Sequence, residues 1–164
     1  VYSDLAYGAQ GIQYFTYWTP GKNPNWNFHH GPIGLDGKRT DVYDKIKTMN
    51  EEIKALSGVF LGSEVIAVNH TGDTIPQGTR RLEELPEGVK YLETEGPGAV
   101  VSQLRNGDNR FLVIVNRDFR KRMKLTIGLA PGMKRILKDG SIVPASVYSD
   151  TVMVEPGDAM IYMY

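Results

Sequence analysis

Residues 111–115, Phe-Leu-Val-Ile-Val, are apolar at every position. Because successive side chains of a strand point to opposite faces, this run predicts a strand that is buried on both faces and lies at the centre of a sheet. Asn106-Gly107 stands just before it and is typical of the turn of a β-hairpin. The segment therefore predicts an antiparallel β domain built around residues 111–115.

Short strands separated by turn residues continue on both sides of this segment. Asp139-Gly140, Pro131-Gly132 and Pro156-Gly157 are turn signals, and the long segment 72–88 is predicted as loop. Met160, Tyr162 and Tyr164 alternate with other residues and indicate one buried face of the last strand. Together these patterns predict an antiparallel β-sandwich over residues 58–164. Its predicted strands cover 64–70, 89–93, 99–105, 110–116, 124–129, 133–138, 142–147, 151–154 and 159–164.

The N-terminal part of the chain has a different character. Ile12 to Trp18 is a run of β-branched and aromatic residues that ends at Pro20-Gly21, which predicts a short strand of a covered parallel sheet. One strand cannot form such a sheet, so its neighbours are expected upstream of Val1. The segment 19–39, which is rich in Pro, Gly and Asn, is predicted as a long loop.

A helix is predicted from about Asp41 to Leu56, because apolar residues recur there at spacings of three and four. Thr40 or Asp41 can cap its start, and Gly58 can end it. After Gly58 the pattern changes to short strands. The sequence therefore predicts two domains, residues 1–57 and residues 58–164.

Composition excludes several classes of function. The chain of 164 residues has 19 Lys and Arg against 19 Asp and Glu, so a nucleic-acid partner is not expected. Without cysteine there is no disulfide, thiol nucleophile or cysteine-bound zinc. No apolar run approaches the ~20 residues that span a membrane. No phosphate-binding loop is present, and no cofactor is predicted.

Four segments, taken in order, resemble the C-terminal end of bacterial glycoside hydrolases of the β-galactosidase-like kind. In those enzymes an eight-stranded βα barrel of the TIM type is followed by a small β-sandwich. The resemblance implies that residues 1–57 are an incomplete last βα unit of such a barrel, with the upstream barrel as their partner, and that residues 58–164 are the C-terminal sandwich. The segments that carry the resemblance are 11–18, 34–40 with the following helix, 110–116 and 154–162.

The resemblance also implies that both catalytic carboxylates precede Val1, so that this chain alone is not catalytic. Retaining glycosidases need two carboxyl groups about 5–5.5 Å apart and inverting enzymes about 6.5–9.5 Å. No such pair is visible in the sequence. The neighbouring glutamates are expected on the solvated surface, and they are Glu51, Glu52, Glu83, Glu84, Glu93 and Glu95.

Three residues are predicted to contact a carbohydrate. Trp18 stands at the end of the predicted strand. Members of the resembled family have an aromatic residue there, under the sugar. The alternative role for Trp18 is packing in the core at the top of the barrel. Trp26 in the following loop can extend a subsite or fold back as packing. His29 can hydrogen-bond substrate. A metal at His29-His30 is not predicted, because adjacent histidines rarely bind one ion and no acid stands at ligand spacing nearby.

The predicted function is a C-terminal segment of a carbohydrate-active glycoside hydrolase whose sandwich is a structural accessory domain. Two alternatives stay open. The sandwich can be a carbohydrate-binding module, or the chain can be an independent structural or interaction domain of the α+β class. The resemblance favours a periplasmic or secreted parent protein in a bacterium, although nothing in the chain itself sets its localisation.

Overall fold

The computed structural model describes residues 1–22 and 24–164, and within them the chain is mainly β, with nine strands in two antiparallel sheets. The strand order is β1-β3-β4-β9-β6-β7 in the larger sheet and β2-β5-β8 in the smaller one. A strand lies at each of the nine predicted positions, but those predicted at 133–138 and 142–147 have only three residues each. Their bounds are β1 Glu64–His70, β2 Val89–Thr94, β3 Ala99–Asn106, β4 Asn109–Asn116, β5 Met123–Leu129, β6 Lys134–Ile136, β7 Ile142–Pro144, β8 Asp150–Val154 and β9 Ala159–Met163. The described helices are α1 Tyr2–Ala6, α2 Asp41–Ala55 and α3 Ser57–Phe60.

Strand β4 lies between β3 and β9 in the larger sheet, and its residues 111–115 are buried on both faces. The prediction of a central strand is therefore confirmed. The β3–β4 hairpin pairs Asn106 with Asn109 across a two-residue turn. Gly107 in that turn has a φ of 58°, a conformation that glycine adopts without steric cost.

The two sheets share one apolar core, which makes the fold sandwich-like. In β5 the odd-numbered residues from Met123 to Leu129 are buried against the core, while Lys124 and Thr126 point outward and are half-buried. Each sheet thus has an inner apolar face, as the alternating pattern predicts. The core consists of Val89, Ala99, Val101, Leu112, Ile114, Met123, Leu125, Ile127, Leu129, Met133, Val154, Met160 and Tyr162.

Helix α1 covers part of the other face of the larger sheet. Its residues Tyr2, Leu5 and Ala6 are buried, and the Ser102 hydroxyl of β3 donates a hydrogen bond of 2.7 Å to the Ala6 carbonyl. The Lys138 ammonium lies 3.8 Å from the centre of the Tyr2 ring. The second face of the larger sheet is therefore covered where α1 packs on β3 and β4.

The chain divides into two compact units, one of residues 12–57 and the other of residues 1–11 with 58–164. This differs from the predicted domains, which placed all of 1–57 together. The boundary at residue 57 coincides, but residues 1–11 belong to the sandwich unit, because the apolar side chains of α1 are buried against β3 and β4.

Within the unit 12–57, helix α2 is confirmed at Asp41–Ala55. The hydroxyl of Thr40 accepts a hydrogen bond of 3.3 Å from the Val42 backbone N–H, which is the predicted N-cap. The cap at the other end is Leu56, so the prediction that Gly58 ends this helix is wrong, and Gly58 lies inside α3.

The structure shows no strand over residues 12–18, where one was predicted with its neighbours upstream of Val1. Its residues form no ladder, and within the described part of the chain Trp18 makes only an isolated parallel bridge to Ile33. A strand is stabilised by continuous pairing with a neighbouring strand. The described part of this unit provides no strand that pairs with residues 12–18 along their length. The described unit is therefore a long irregular segment followed by one helix, and a barrel is not shown.

Candidate functional site

The loop between residues 19 and 40 surrounds a groove of about 800 Å³. We call this the loop groove. Among its described residues the lining combines aromatic rings, imidazoles, an amide, a lysine and one carboxylate, which is a mixture suited to a polar ligand with an apolar face. The residues that line it are Thr19, Pro20, Lys22, Pro24, Trp26, Asn27, Phe28, His29, His30, Gly34, Leu35, Asp36 and Thr40.

Backbone hydrogen bonds fix the two ends of this loop. Ile33 is buried. Its N–H donates a hydrogen bond of 3.0 Å to the Tyr17 carbonyl, and its carbonyl accepts one of 2.8 Å from the Thr19 N–H. The hydroxyl of Thr40 donates 2.7 Å to the Gly31 carbonyl, so the residue that caps α2 also ties the loop to the start of the helix. The groove is thus anchored at Ile33 and Thr40.

Two aromatic rings of the loop stack at the groove. Trp26 and Phe28 have centroids 5.5 Å apart and planes only 10° from parallel, and Phe15 contacts Phe28 in a tilted arrangement at 5.8 Å. The Trp26 side chain remains 62% exposed. An indole held on one side by a second ring and open on the other offers a flat apolar surface beside hydrogen-bonding groups.

His29 and His30 stand at the same groove with their rings edge to face and 4.9 Å between centroids. The Nδ1 of His29 lies 3.0 Å from the Asn27 carbonyl. Because a carbonyl only accepts, Nδ1 carries the hydrogen and Nε2 of the neutral ring is left as an acceptor. Among the described residues no three His, Asp or Glu side chains are placed to hold a metal ion.

Trp18 does not line the loop groove. Its side chain is 53% exposed, and its ring passes so close to Gly37 that a Cβ built there would lie 3.5 Å from the indole. Of the three predicted carbohydrate contacts, the structure therefore brings Trp26 and His29 together and leaves Trp18 outside the groove.

Carboxylates are scarce at this groove. Asp36 is the one acid in the described lining of the groove. It is exposed, and its carboxylate accepts a hydrogen bond of 3.1 Å from the Lys38 backbone N–H. Of the glutamates predicted on the surface, Glu52 is half-buried and the others are exposed. Glu95 pairs with Lys124 at 2.6 Å. No pair of acids faces a common point in the described lining of the groove.

A second groove of about 470 Å³ runs along α2. The Tyr14 hydroxyl donates a hydrogen bond of 3.0 Å to the Asn50 side-chain oxygen, and burial raises the pKa of Tyr14. The Arg39 guanidinium lies 4.2 Å from the centre of the Tyr43 ring. Sequence reasoning missed this groove, although Tyr43, Lys47, Asn50 and Lys54 at helical spacing would have indicated one shared face.

A buried polar cluster in the sandwich unit was also missed. His70, at the end of β1, is 2% exposed, with Nε2 2.6 Å from the Tyr7 hydroxyl and Nδ1 3.3 Å from an Arg117 nitrogen. Arg117 further donates to the carbonyls of Thr71, Thr74 and Pro97. Since an arginine only donates, Nδ1 accepts and His70 is neutral. These groups satisfy one another, which indicates a structural role.

No family model matches the chain, and no curated protein or solved structure is significantly similar to it. No helix in the described part of the chain is long and apolar enough to cross a membrane.

Proposed function

We propose that this chain is the C-terminal segment of a glycoside hydrolase of the β-galactosidase-like kind. The loop groove contributes to the binding of a carbohydrate, the upstream barrel of the same protein supplies the two catalytic carboxylates, and the sandwich is a structural accessory domain. The chain alone binds sugar and does not hydrolyse it.

The observation that carries this proposal is the aromatic pair at the loop groove. The exposed face of Trp26 can cover the C–H face of a sugar ring, while the His29 imidazole and the Asn27 amide stand in the same lining and can bond hydroxyl groups. The groove volume of about 800 Å³ is large enough for more than a single small ion.

Exposed apolar groups in the same unit support a larger parent fold. Phe15 is 80% exposed, and α2 has no fully buried residue although one of its faces is apolar. A helix of a globular protein normally buries such a face. The upstream barrel is the partner that the resemblance supplies for these surfaces.

The accessory role of the sandwich rests on where its apolar side chains lie. They fill one continuous core between the sheets, and the charged residues of its surface form exposed ion pairs such as Arg122 with Glu155. Exposed ion pairs of this kind contribute about 0–1 kcal/mol to folding stability. They do not indicate a catalytic site.

Tryptophan fluorescence tests the proposal, because both tryptophans of the chain, Trp18 and Trp26, lie in the unit 12–57. In a Trp18→Phe variant, Trp26 is the only indole. Titration with methyl β-galactoside is expected to change its emission until the site saturates, whereas glycerol at equal concentration leaves it unchanged. The same change in a Phe119→Ala variant, which alters an exposed ring of the sandwich unit, is the matched control.

Hydrolysis is measured in parallel with a panel of chromogenic glycosides. No turnover is expected from the 164-residue chain. Turnover that survives repurification would show that this chain contains its own carboxylate pair, and an emission of Trp26 that does not respond to any galactoside would contradict the sugar-binding role of the loop groove.

One observation favours the carbohydrate-binding module as the second candidate. On the outer face of the smaller sheet, Tyr91 pairs with Gly128. Gly128 has no side chain that could cover the Tyr91 ring, and Ser149 lies on the other side of Gly128 as a small neighbour. Tyr148 is strongly exposed. Glycan binding that is lost in Tyr91→Ala and kept in Trp26→Ala would favour this sheet over the loop groove.

A further inference from the structure

His70 is a buried histidine of the sandwich unit, and segments from distant parts of the sequence meet around its ring. Tyr7 follows α1 and contacts Nε2, while Arg117 follows β4 and contacts Nδ1. Arg81 stands beside the His70 backbone in an isolated bridge. We call His70, Tyr7 and Arg117 the His70 cluster. In the described part of the chain, no carboxylate forms an ion pair with His70 or Arg117.

The two partners of His70 determine which ring nitrogen carries the hydrogen. A guanidinium only donates, so Nδ1, which lies 3.3 Å from an Arg117 nitrogen, accepts. The hydrogen of the neutral ring is therefore on Nε2, which donates to the Tyr7 hydroxyl oxygen at 2.6 Å. A second proton has to bind Nδ1, directly against the guanidinium. Protonation thus removes the contact with Arg117 and preserves the contact with Tyr7.

The guanidinium of Arg117 joins two segments that are far apart in the sequence. We call residues 71–74 and 97–98, taken together, the crossing. One guanidinium nitrogen of Arg117 donates to three carbonyls of the crossing, which are those of Thr71, Thr74 and Pro97. Because all three oxygens converge on one nitrogen, the loss of this donor leaves three carbonyl dipoles that point at one another.

The backbones at the crossing are in close contact. A Cβ added at Gly72 would clash with the Pro97 carbonyl oxygen, and one added at Gly98 would clash with the Thr71 carbonyl oxygen. Only glycine fits at either position. The two segments therefore approach each other through their carbonyl groups, and the cationic side chain of Arg117 is what makes this approach favourable.

The surroundings of His70 oppose a positive charge on its ring. Burial lowers the pKa of His70, and the charge of Arg117 lowers it further. Arg81, which donates to the carbonyls of Gly72 and Asp73, is a second cation next to Arg117. A ring that opens to water takes up its proton near the ordinary value of about 6.5. Acid therefore favours any state in which the crossing is open.

We propose that the His70 cluster is an acid-sensitive switch, which holds the crossing closed while His70 is neutral and releases it when His70 takes up a proton. The imidazolium displaces Arg117, and water replaces the guanidinium at the three carbonyls. Helix α1 stays in place, because the hydrogen bond from Nε2 to Tyr7 survives protonation. The switch lies in the sandwich unit and does not depend on the glycosidase proposal.

The test is amide hydrogen exchange of the whole chain, followed by NMR from neutral pH downward and corrected for the pH dependence of the intrinsic exchange rate. The reporting amides are those of Thr71, Ala99 and Arg117, which are hydrogen-bonded at or beside the crossing. Their opening is expected to increase by up to about tenfold per pH unit below about pH 6.5, because it takes up one proton. The amides of Tyr7 and Gly8, at the end of α1, are expected to keep their protection.

Three variants separate the parts of the switch. His70→Gln keeps a side chain that can accept from Arg117 but does not titrate, so the pH dependence at the crossing is expected to disappear. Tyr7→Phe is expected to keep the pH dependence, because Arg117 is still displaced. His29→Gln removes an exposed histidine of the other unit, is the matched control, and is expected to behave like the unaltered chain.

Arg117→Gln gives a second test that does not alter the histidine. Without the guanidinium, the crossing is expected to be open already at neutral pH and to show no further response to acid. Thermal unfolding at neutral pH establishes that each variant is folded.

Four results would each overturn the proposal. They are full protection of the crossing amides below pH 6.5, an unchanged pH dependence in His70→Gln, an unchanged pH dependence in Arg117→Gln, and an equal loss of protection in the amides of β4. The last result would mean that acid unfolds the whole sandwich unit and does not release the crossing alone.

Discussion

Asn116, the last residue of β4, holds several segments of the sandwich unit together. Its side-chain nitrogen donates to the carbonyls of Lys121 at 2.8 Å and of Val154 and Glu155 at 3.1 Å, while its oxygen accepts 2.9 Å from the Asp118 N–H. The side chain is 1% exposed. It was predicted only as the end of a strand, because nothing in the local sequence shows which distant carbonyls face it.

Asn116→Ala is expected to lower the free energy of unfolding by about 2–4 kcal/mol, because the buried Val154 carbonyl and two partly buried carbonyls lose their donor at once. The measurement is urea unfolding followed by circular dichroism. Asn109→Ala, at the exposed start of the same strand, is the matched control and is expected to cost less than about 1 kcal/mol. Equal losses for the two variants would contradict the role of Asn116.

At the scale of elements, α1 tests the assignment of residues 1–11 to the sandwich unit. Leu5 is buried within the unit, so Leu5→Ala is expected to cost about 2–4 kcal/mol of unfolding free energy. Leu61→Ala removes the same atoms from an exposed position and is expected to cost much less. A negligible effect of Leu5→Ala would show that the sandwich is stable without the packing of α1.

The elements also show where sequence reasoning succeeds. The strands and α2 were predicted because their patterns are local: alternation or a continuous apolar run between turn residues marks the strands, and Thr40 caps the helix. The segment 12–18 has a strand-like composition but forms no strand. Composition describes what a segment can form, and pairing with a neighbour decides whether it does.

At the scale of the whole molecule, the buried His70 makes stability depend on pH. Burial, and secondarily the charge of Arg117, lower the pKa of His70 below its ordinary value of 6.5. The unfolded chain therefore binds a proton at a higher pH than the folded chain does. The contribution of neutral His70 to stability is fully present above about pH 6.5. This contribution is lost as the pH falls through the lower pKa that His70 has in the folded state.

The midpoint of thermal unfolding is thus expected to decrease as the pH is lowered below about 6.5. In His70→Gln, which keeps a polar side chain that does not titrate, this part of the pH dependence is expected to disappear, while His29→Gln, at an exposed site, should retain it. Identical pH profiles for His70→Gln and the unaltered chain would show that other groups cause the effect.

The sequence by itself determined the β-rich class, the nine strands, the central place of residues 111–115 and the helix after Thr40, because side-chain direction and capping act between residues that are near in the chain. Only the tertiary structure decided that residues 1–11 join the sandwich, that Trp26 and His29 share a groove without Trp18, and that His70 meets Tyr7 and Arg117. These features depend on contacts between distant segments, and whether such contacts form is set by the shape and burial of the folded surfaces that meet.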